Sequence, residues 1–154
     1  MGRIYKVTFS QVSVSGVQDL IQVKGNGKVL KIRRVYWGVT NTTLPTSQMS
    51  ATRCRFLGAS VTDGSGGSTP TPAPIKGDAA ATFLALANNT TKASSSTAVV
   101  HLEHGDHLYN GFERAWADAE QPVVGTADSF VLELLSAPLA TVTMSGGIEV
   151  EELG

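Results

Sequence analysis

A chain of 154 residues with 42% apolar and 16% charged residues is one domain, long enough to bury a sizeable core. The charged fraction lies under the roughly 25% usual for soluble domains, which suits neutral surfaces packed against other subunits. A formal charge of −1 gives no global attraction to nucleic acid or acidic membranes. The lone Cys54 excludes an intrachain disulfide and a multi-cysteine metal site, and it reads as a buried, inert thiol.

Alternation of polar and apolar residues predicts strands from end to end. Tyr5, Val7 and Phe9 share one face of a first strand, with Lys6 and Thr8 on the other. A short strand over 20–23 leads into the tight turn Gly25-Asn26-Gly27. The longest β-like run is 29–39. Leu30, Ile32, Arg34 and Tyr36 face one way, and Val29, Lys31, Arg33, Val35 and Trp37 the other, so a bulge is expected near Arg33 and Arg34. Over 53–57 Cys54 and Phe56 point inward. Asp78 could cap a short alanine-rich helix at 82–87, yet the segment ends in the turn cluster Asn88-Asn89-Thr90-Thr91, so a strand is expected. Strands over 98–102, 130–135, 139–144 and 148–152 complete the set, with Gly146-Gly147 turning the chain into the last.

The interruption is as informative as the pattern. Residues 61–78 have no apolar periodicity and are broken by Gly64, Gly66, Gly67, Pro70, Pro72 and Pro74, so neither helix nor central strand can pass through. Compact domains seldom carry loops of that length unless they are functional or disordered. The expectation is a single β-domain over 1–154 that presents a proline-stiffened arm, 61–78, to its neighbours. Short strands, turn signals and no convincing long helix mean an all-β fold, a jelly-roll-like β-sandwich with a long Gly/Pro-rich loop.

No constellation carries chemistry. His101, His104 and His107, with Glu103 and Asp106, are the best metal candidate. Residues three apart on a strand point to opposite faces, so His101 and His104 converge only if Gly105 or a bulge turns the chain. Solvated or hydrogen-bonded histidines are expected instead. No G-x-S-x-G elbow occurs, and Gly64-Ser65-Gly66-Gly67 lacks the Lys-Ser/Thr of a phosphate loop. Asp118, Glu120 and Asp128 form no recognisable pair, and Glu149, Glu151 and Glu152 read as a solvated edge strand guarding against pairing. Lys28, Lys31, Arg33 and Arg34 with Tyr36 and Trp37 read as a partner surface before a single-strand nucleic-acid groove. The sequons Asn41-Thr42-Thr43 and Asn89-Thr90-Thr91 carry no weight without a secretory signal, and no window approaches the ~20 apolar residues of a membrane helix. Tyr109, Phe112 and Trp116 beside Asn110-Gly111 are core, protein contact or sugar platform. No enzyme, metal or cofactor is expected, nor a nucleic-acid or membrane partner.

The segments MGRIYKVTFSQVSVSGVQDLIQV, DGSGGSTPTPAPIKGDAAATFLALANNTT and TMSGGIEVEELG resemble small virion structural proteins of tailed bacteriophages. The resemblance spans nearly the whole chain and is one of layout; the stretch HGDHLYNGFERAWADAEQPVV follows it loosely. It implies a capsid decoration (cement) protein with a jelly-roll-like fold, acting as a trimer on the major capsid protein, in the virion and in the host cytoplasm during assembly. The partner or subunit interface is then expected at Thr69, Pro70, Pro72, Pro74, Tyr109, Phe112 and Trp116. The alternatives are a tail-associated or receptor-binding component and a carbohydrate-binding β-sandwich. A fibre-tip module should show a coiled-coil shaft attachment, and a sugar binder a planar row of exposed aromatics.

Overall fold

The computed structural model describes residues 2–41 and 49–154, leaving aside the side chain of Asp106. Two antiparallel sheets pack face to face. One carries β1 (Arg3–Val14), β3 (Val29–Val39), β5 (Ala73–Pro74), β8 (Phe112–Ala115), β9 (Val123–Val124) and β11 (Val142–Leu153) in the order β5-β1-β11-β3-β8, with β9 also on β3. The other carries β2 (Gln18–Lys24), β4 (Met49–Gly58), β6 (Leu84–Asn89), β7 (Thr97–His107) and β10 (Ser129–Leu134) in the order β6-β2-β10-β4-β7. Among the described residues the only helical piece is a 3-10 turn, Leu108–Asn110.

The period of two builds the core. Tyr5, Val7 and Phe9 of β1, Leu30, Ile32, Val35 and Trp37 of β3, and Phe130, Leu132 and Leu134 of β10 are buried between the sheets. Each fully buried side chain of this size contributes about 1.5–3 kcal/mol relative to exposure. The buried set in β3 changes phase between Ile32 and Val35, and the register against β11 shifts at that point, which is the slip the sequence predicts near Arg33 and Arg34.

The carboxyl end departs from expectation. Residues 142–153 form one continuous strand, not two joined at Gly146-Gly147, and Leu139 lies outside it, 83% exposed. A Cβ at Gly146 would sit 2.5 Å from the Tyr36 carbonyl oxygen and 2.9 Å from Trp37 Cα, so this glycine admits a close neighbour and makes no turn. Nor is β11 a solvated edge, since it lies between β1 and β3. Glu149 pairs with Lys6 (3.3 Å) and Arg34 (3.7 Å), and Glu151 with Arg33 (3.0 Å). Glu152 is buried and accepts from the Thr82 hydroxyl (2.8 Å) and the Thr82 and Phe83 amides.

The 61–78 segment does not project. Thr62 pairs with Ser94, Ser65 with Thr91 and Ser68 with Ala87, each through two backbone hydrogen bonds of 2.8–3.0 Å. The chain then crosses to the other sheet, where Ala73 and Pro74 pair with Lys6 and Tyr5 and the Ile75 amide donates to the Ile4 carbonyl (2.9 Å). It is a strap that closes one side of the sandwich. Glycine is needed where it touches β6, because a Cβ at Gly67 would lie 2.0 Å from the Ala87 carbonyl oxygen. An extended chain without core patterning satisfies its backbone groups as readily on its own sheet edges as on a neighbour's, and here its own are in reach.

Candidate association surfaces

The residues expected at the interface fall on opposite sides of the sandwich. Thr69, Pro70, Pro72 and Pro74 lie in the strap, beside β5 and β6. Tyr109, Phe112 and Trp116 lie where β7 and β8 end their sheets. The structure does not bring the two groups together.

Successive N–H groups of an extended chain point to alternate sides. Since the Ile75 N–H points at β1, the preceding position, which faces away from the body, is Pro74 and has no N–H to offer. Pro70 and Pro72 bring no donor either, so another strand gains little by pairing along this segment. On the inner side Asp63 accepts from Gln22 Nε2 (2.7 Å) and Lys24 Nζ (3.0 Å), and the Gly64 amide donates to Gln22 Oε1 (3.0 Å).

The other side is built differently. β7 is an eleven-residue strand that ends its sheet, and Val99, Val100 and Tyr109 are 48%, 50% and 53% exposed. Phe112 and Trp116 are half-buried. Trp116 meets Phe130 edge-on (6.0 Å between centroids), and Phe112 packs against His104 (5.7 Å). They close the end of the core and do not form a planar exposed row. Between β7 and β8 lies a cavity of about 300 Å³ lined by Leu102, His104, Gly111, Phe112, Glu113 and Arg114.

The register of β7 against β4 shifts between Leu102 and Val100, so His101 is the extra residue of a bulge. This is the device that could bring His101 and His104 to one face. His101 instead lies against Phe130 (6.2 Å), where burial pulls its pKa down, and His104 against Phe112. His107 stacks on Tyr109 (4.9 Å) and its Nδ1 accepts the Tyr109 amide (3.3 Å). Among the described residues no three His, Cys, Asp or Glu side chains stand together to hold a metal ion. Burial, with the nearby charge of Glu133, pushes the Cys54 thiol up to about 12, which keeps it protonated at neutral pH. The basic stretch is largely spent within its own sheet: Arg33 on Glu151, and Arg34 on Glu113 (3.0 Å) and over the Tyr36 ring (5.0 Å).

One cluster escapes sequence reasoning. On the outer face of the β2-β10-β4 sheet Glu133 is fully buried. It accepts a hydrogen bond from Arg53 Nε and forms ion pairs with Arg55 (Nε at 3.2 Å) and Lys92 (Nζ at 2.8 Å). Asp19, also fully buried, accepts the Ala93 amide (2.6 Å), while Arg55 donates to the Ala93 carbonyl (2.8 Å). Burial alone would raise the Glu133 carboxyl. The hydrogen bonds from Lys92 and Arg53 and the charge of Arg55 outweigh it and hold Glu133 below the usual glutamate value. Asp19 stays above the usual aspartate value because burial exceeds what the Ala93 amide and Arg55 return. These ties pin segment 90–94, and with it the start of the strap, over a small second core of Leu57, Ala93, Val131 and Val61. No family model, curated protein or solved structure matches the chain.

Proposed function

We propose that the chain is a non-enzymatic virion structural protein, a capsid decoration protein that attaches to an assembled head and to copies of itself. The observation that carries the reading is the unequal treatment of the two sandwich edges: one is strapped shut by a proline-rich segment, and the other ends, among the described residues, in a long edge strand that carries half-exposed Val99 and Val100 and leads to exposed Tyr109. A protein that works alone gains by blunting both edges. One that assembles by mass action on a lattice needs a surface left able to pair. The finer fold reading is a jelly roll. In support of it, β1-β11-β3-β8 faces β2-β10-β4-β7, the first and last strands are neighbours, and β5, β6 and β9 are insertions. The resemblance in layout to phage virion proteins supports the head as the partner, with manufacture in the host cytoplasm and residence in the virion.

The test is to add purified protein to heads of the same virus that lack it. Cosedimentation at a saturating copy number set by the head's symmetry is expected, together with a higher temperature of head rupture. Heads and protein that sediment apart at tens of micromolar would overturn the assignment.

A further inference from the structure

The strapped side of the sandwich holds a recess that the strap does not fill. Where residues 66–68 pass the end of β6, a cavity of about 300 Å³ opens, at the low end of the roughly 300–1,000 Å³ of small-ligand sites. Ser13 of β1, Gln18 of β2, Ser68 of the strap, Asn88 of β6 and Thr90 just beyond it line the cavity together with Val12. We propose that it is a binding site for an uncharged saccharide.

The lining decides the class of ligand. None of its residues carries a charge, so an anion finds no cation there and a cation no carboxylate. Hydroxyls and carboxamides both donate and accept, which matches the hydroxyls of a sugar. Ser13, Ser68 and Thr90 are exposed and bring hydroxyls to the rim, while Gln18 and Asn88 are more than nine-tenths buried and form the floor. An extended peptide would need a free run of backbone, yet the strap is already paired there, Ser65 with Thr91 and Ser68 with Ala87.

Three further observations converge on the same recess. Gln18 Nε2 donates to Asn88 Oδ1 (3.2 Å), while Asn88 Nδ2 is buried with no hydrogen-bond partner among the described residues. A buried donor left so is costly, and a sugar oxygen is the acceptor that would relieve it. Asn88 also stands in the left-handed region at φ +57, and Gln11, immediately before the lining residue Val12, at φ +51. Such conformations are uncommon outside glycine and gather at ligand sites. Lastly, a Cβ on Gly66, itself at φ +84, would stand 2.3 Å from Thr90 Oγ1, so glycine there keeps that hydroxyl clear. No aromatic ring lines the recess, so recognition rests on hydrogen bonds and millimolar dissociation constants are expected. The site lies on the opposite side from β7, and the proposal goes beyond the decoration reading without depending on it.

Amide NMR spectra of the full chain, recorded without heads, decide it. Glucose, galactose, mannose and N-acetylglucosamine are titrated to tens of millimolar, each as the reducing sugar and as its methyl glycoside. At least one should shift the side-chain amides of Gln18 and Asn88 and the backbone amides of Gly66 and Gly67 along a saturating curve. Binding of the methyl glycoside points to the end of a glycan chain, and binding of the reducing sugar alone to a free sugar. Thr90→Val with Ser13→Ala removes two hydroxyls at exposed positions, and it should raise the dissociation constant at least fivefold while the rest of the spectrum stays folded. Thr126→Val, in the turn that meets Gly27 at the far end of the sandwich, should leave binding unchanged. An absence of saturable shifts, the same shifts from glycerol at equal concentration, or undiminished binding by the double variant would overturn the proposal.

Discussion

The two edges of this sandwich begin from one problem and solve it in opposite ways. A sheet edge is a row of unpaired amides and carbonyls. On the β5-β6 side the strap covers that row, joins both sheets and carries three prolines that have no N–H to donate. The Asp63 carboxylate is tied to Gln22 and Lys24 and the Gly64 amide to Gln22, which anchors the start of the strap on β2. On the β7-β8 side no strand among the described residues pairs with the outer edge of the long strand, and Val99 and Val100 on it are about half exposed. Composition alone suggests the reverse, since the Gly/Pro-rich segment looks adventitious and β7 looks like an ordinary strand. What separates them is where the backbone hydrogen bonds go, which is a question for the fold.

The largest effect is expected from cutting the strap. Deleting residues 66–73 removes the Ser68–Ala87 pairing and the Ala73–Pro74 strand and bares two edges at once. A loss of about 4 kcal/mol corresponds to a fall of roughly 8–16 °C in Tm for a chain of this size. Thermal unfolding of the free protein checks this. A change of less than 3 °C would show that the strap only rests on the body.

Next comes the ionic cluster that anchors the strap's beginning. Glu133→Gln leaves Arg53, Arg55 and Lys92 facing a neutral amide. Breaking a fully buried pair costs about 3–5 kcal/mol. Arg53 and Lys92 keep 28% and 30% of their side chains in water, so about 2 kcal/mol is the expectation. The pH dependence follows from the direction of each shift. Glu133 has a lowered pKa, so its contribution is full above the unfolded value of about 4.3 and is lost as pH falls through the folded value. Asp19 has a raised pKa, so its contribution is full below about 3.9 and is lost as pH rises through the folded value. The wild-type curve contains both. In Glu133→Gln the rise in stability from acid toward pH 6 should be smaller, because the opposing Asp19 contribution is left without its counterweight. Urea unfolding between pH 3 and 7 measures it, and an unchanged slope would remove Glu133 from the account.

Local pattern carried much of the fold. The inward set of β1, and the slip at Arg33 and Arg34 in β3, are visible in period-two alternation because their sheet buries one face fully. Gly146-Gly147 misleads because a glycine that admits Trp37 and one that makes a turn are written with the same letter. Glu149, Glu151 and Glu152 mislead because charge on a strand signals solvent only if no partner lies opposite: here Lys6, Arg33 and Arg34 meet the first two, and Thr82 and Phe83 donate to Glu152. The cluster around Glu133 was out of reach, since Asp19, Arg53, Arg55, Lys92 and Glu133 meet across four separate segments. One signal was present. The run Phe130-Val131-Leu132-Glu133-Leu134-Leu135 is apolar on both faces, the mark of a strand covered on both sides, and a carboxylate inside such a run must be paired.

The smallest effect on stability, and the sharpest contrast with the strap, is expected at the open edge. Val99 and Val100 are about half exposed, so in the single chain Val99→Thr with Val100→Thr removes little buried area and keeps the β-branched shape that a strand favours. Unfolding of the monomer, measured below the concentration at which copies associate, should shift by no more than about 0.5 kcal/mol. Association is another matter. If these side chains bury themselves against a second copy, each hydroxyl exchanged for a methyl is desolvated there without a partner, at about 1–3 kcal/mol per group. The double variant should therefore self-associate at least tenfold more weakly while keeping its fold, where cutting the strap lowers stability first. Loss of monomer stability with association unchanged would mean that the two edges have been assigned the wrong way round.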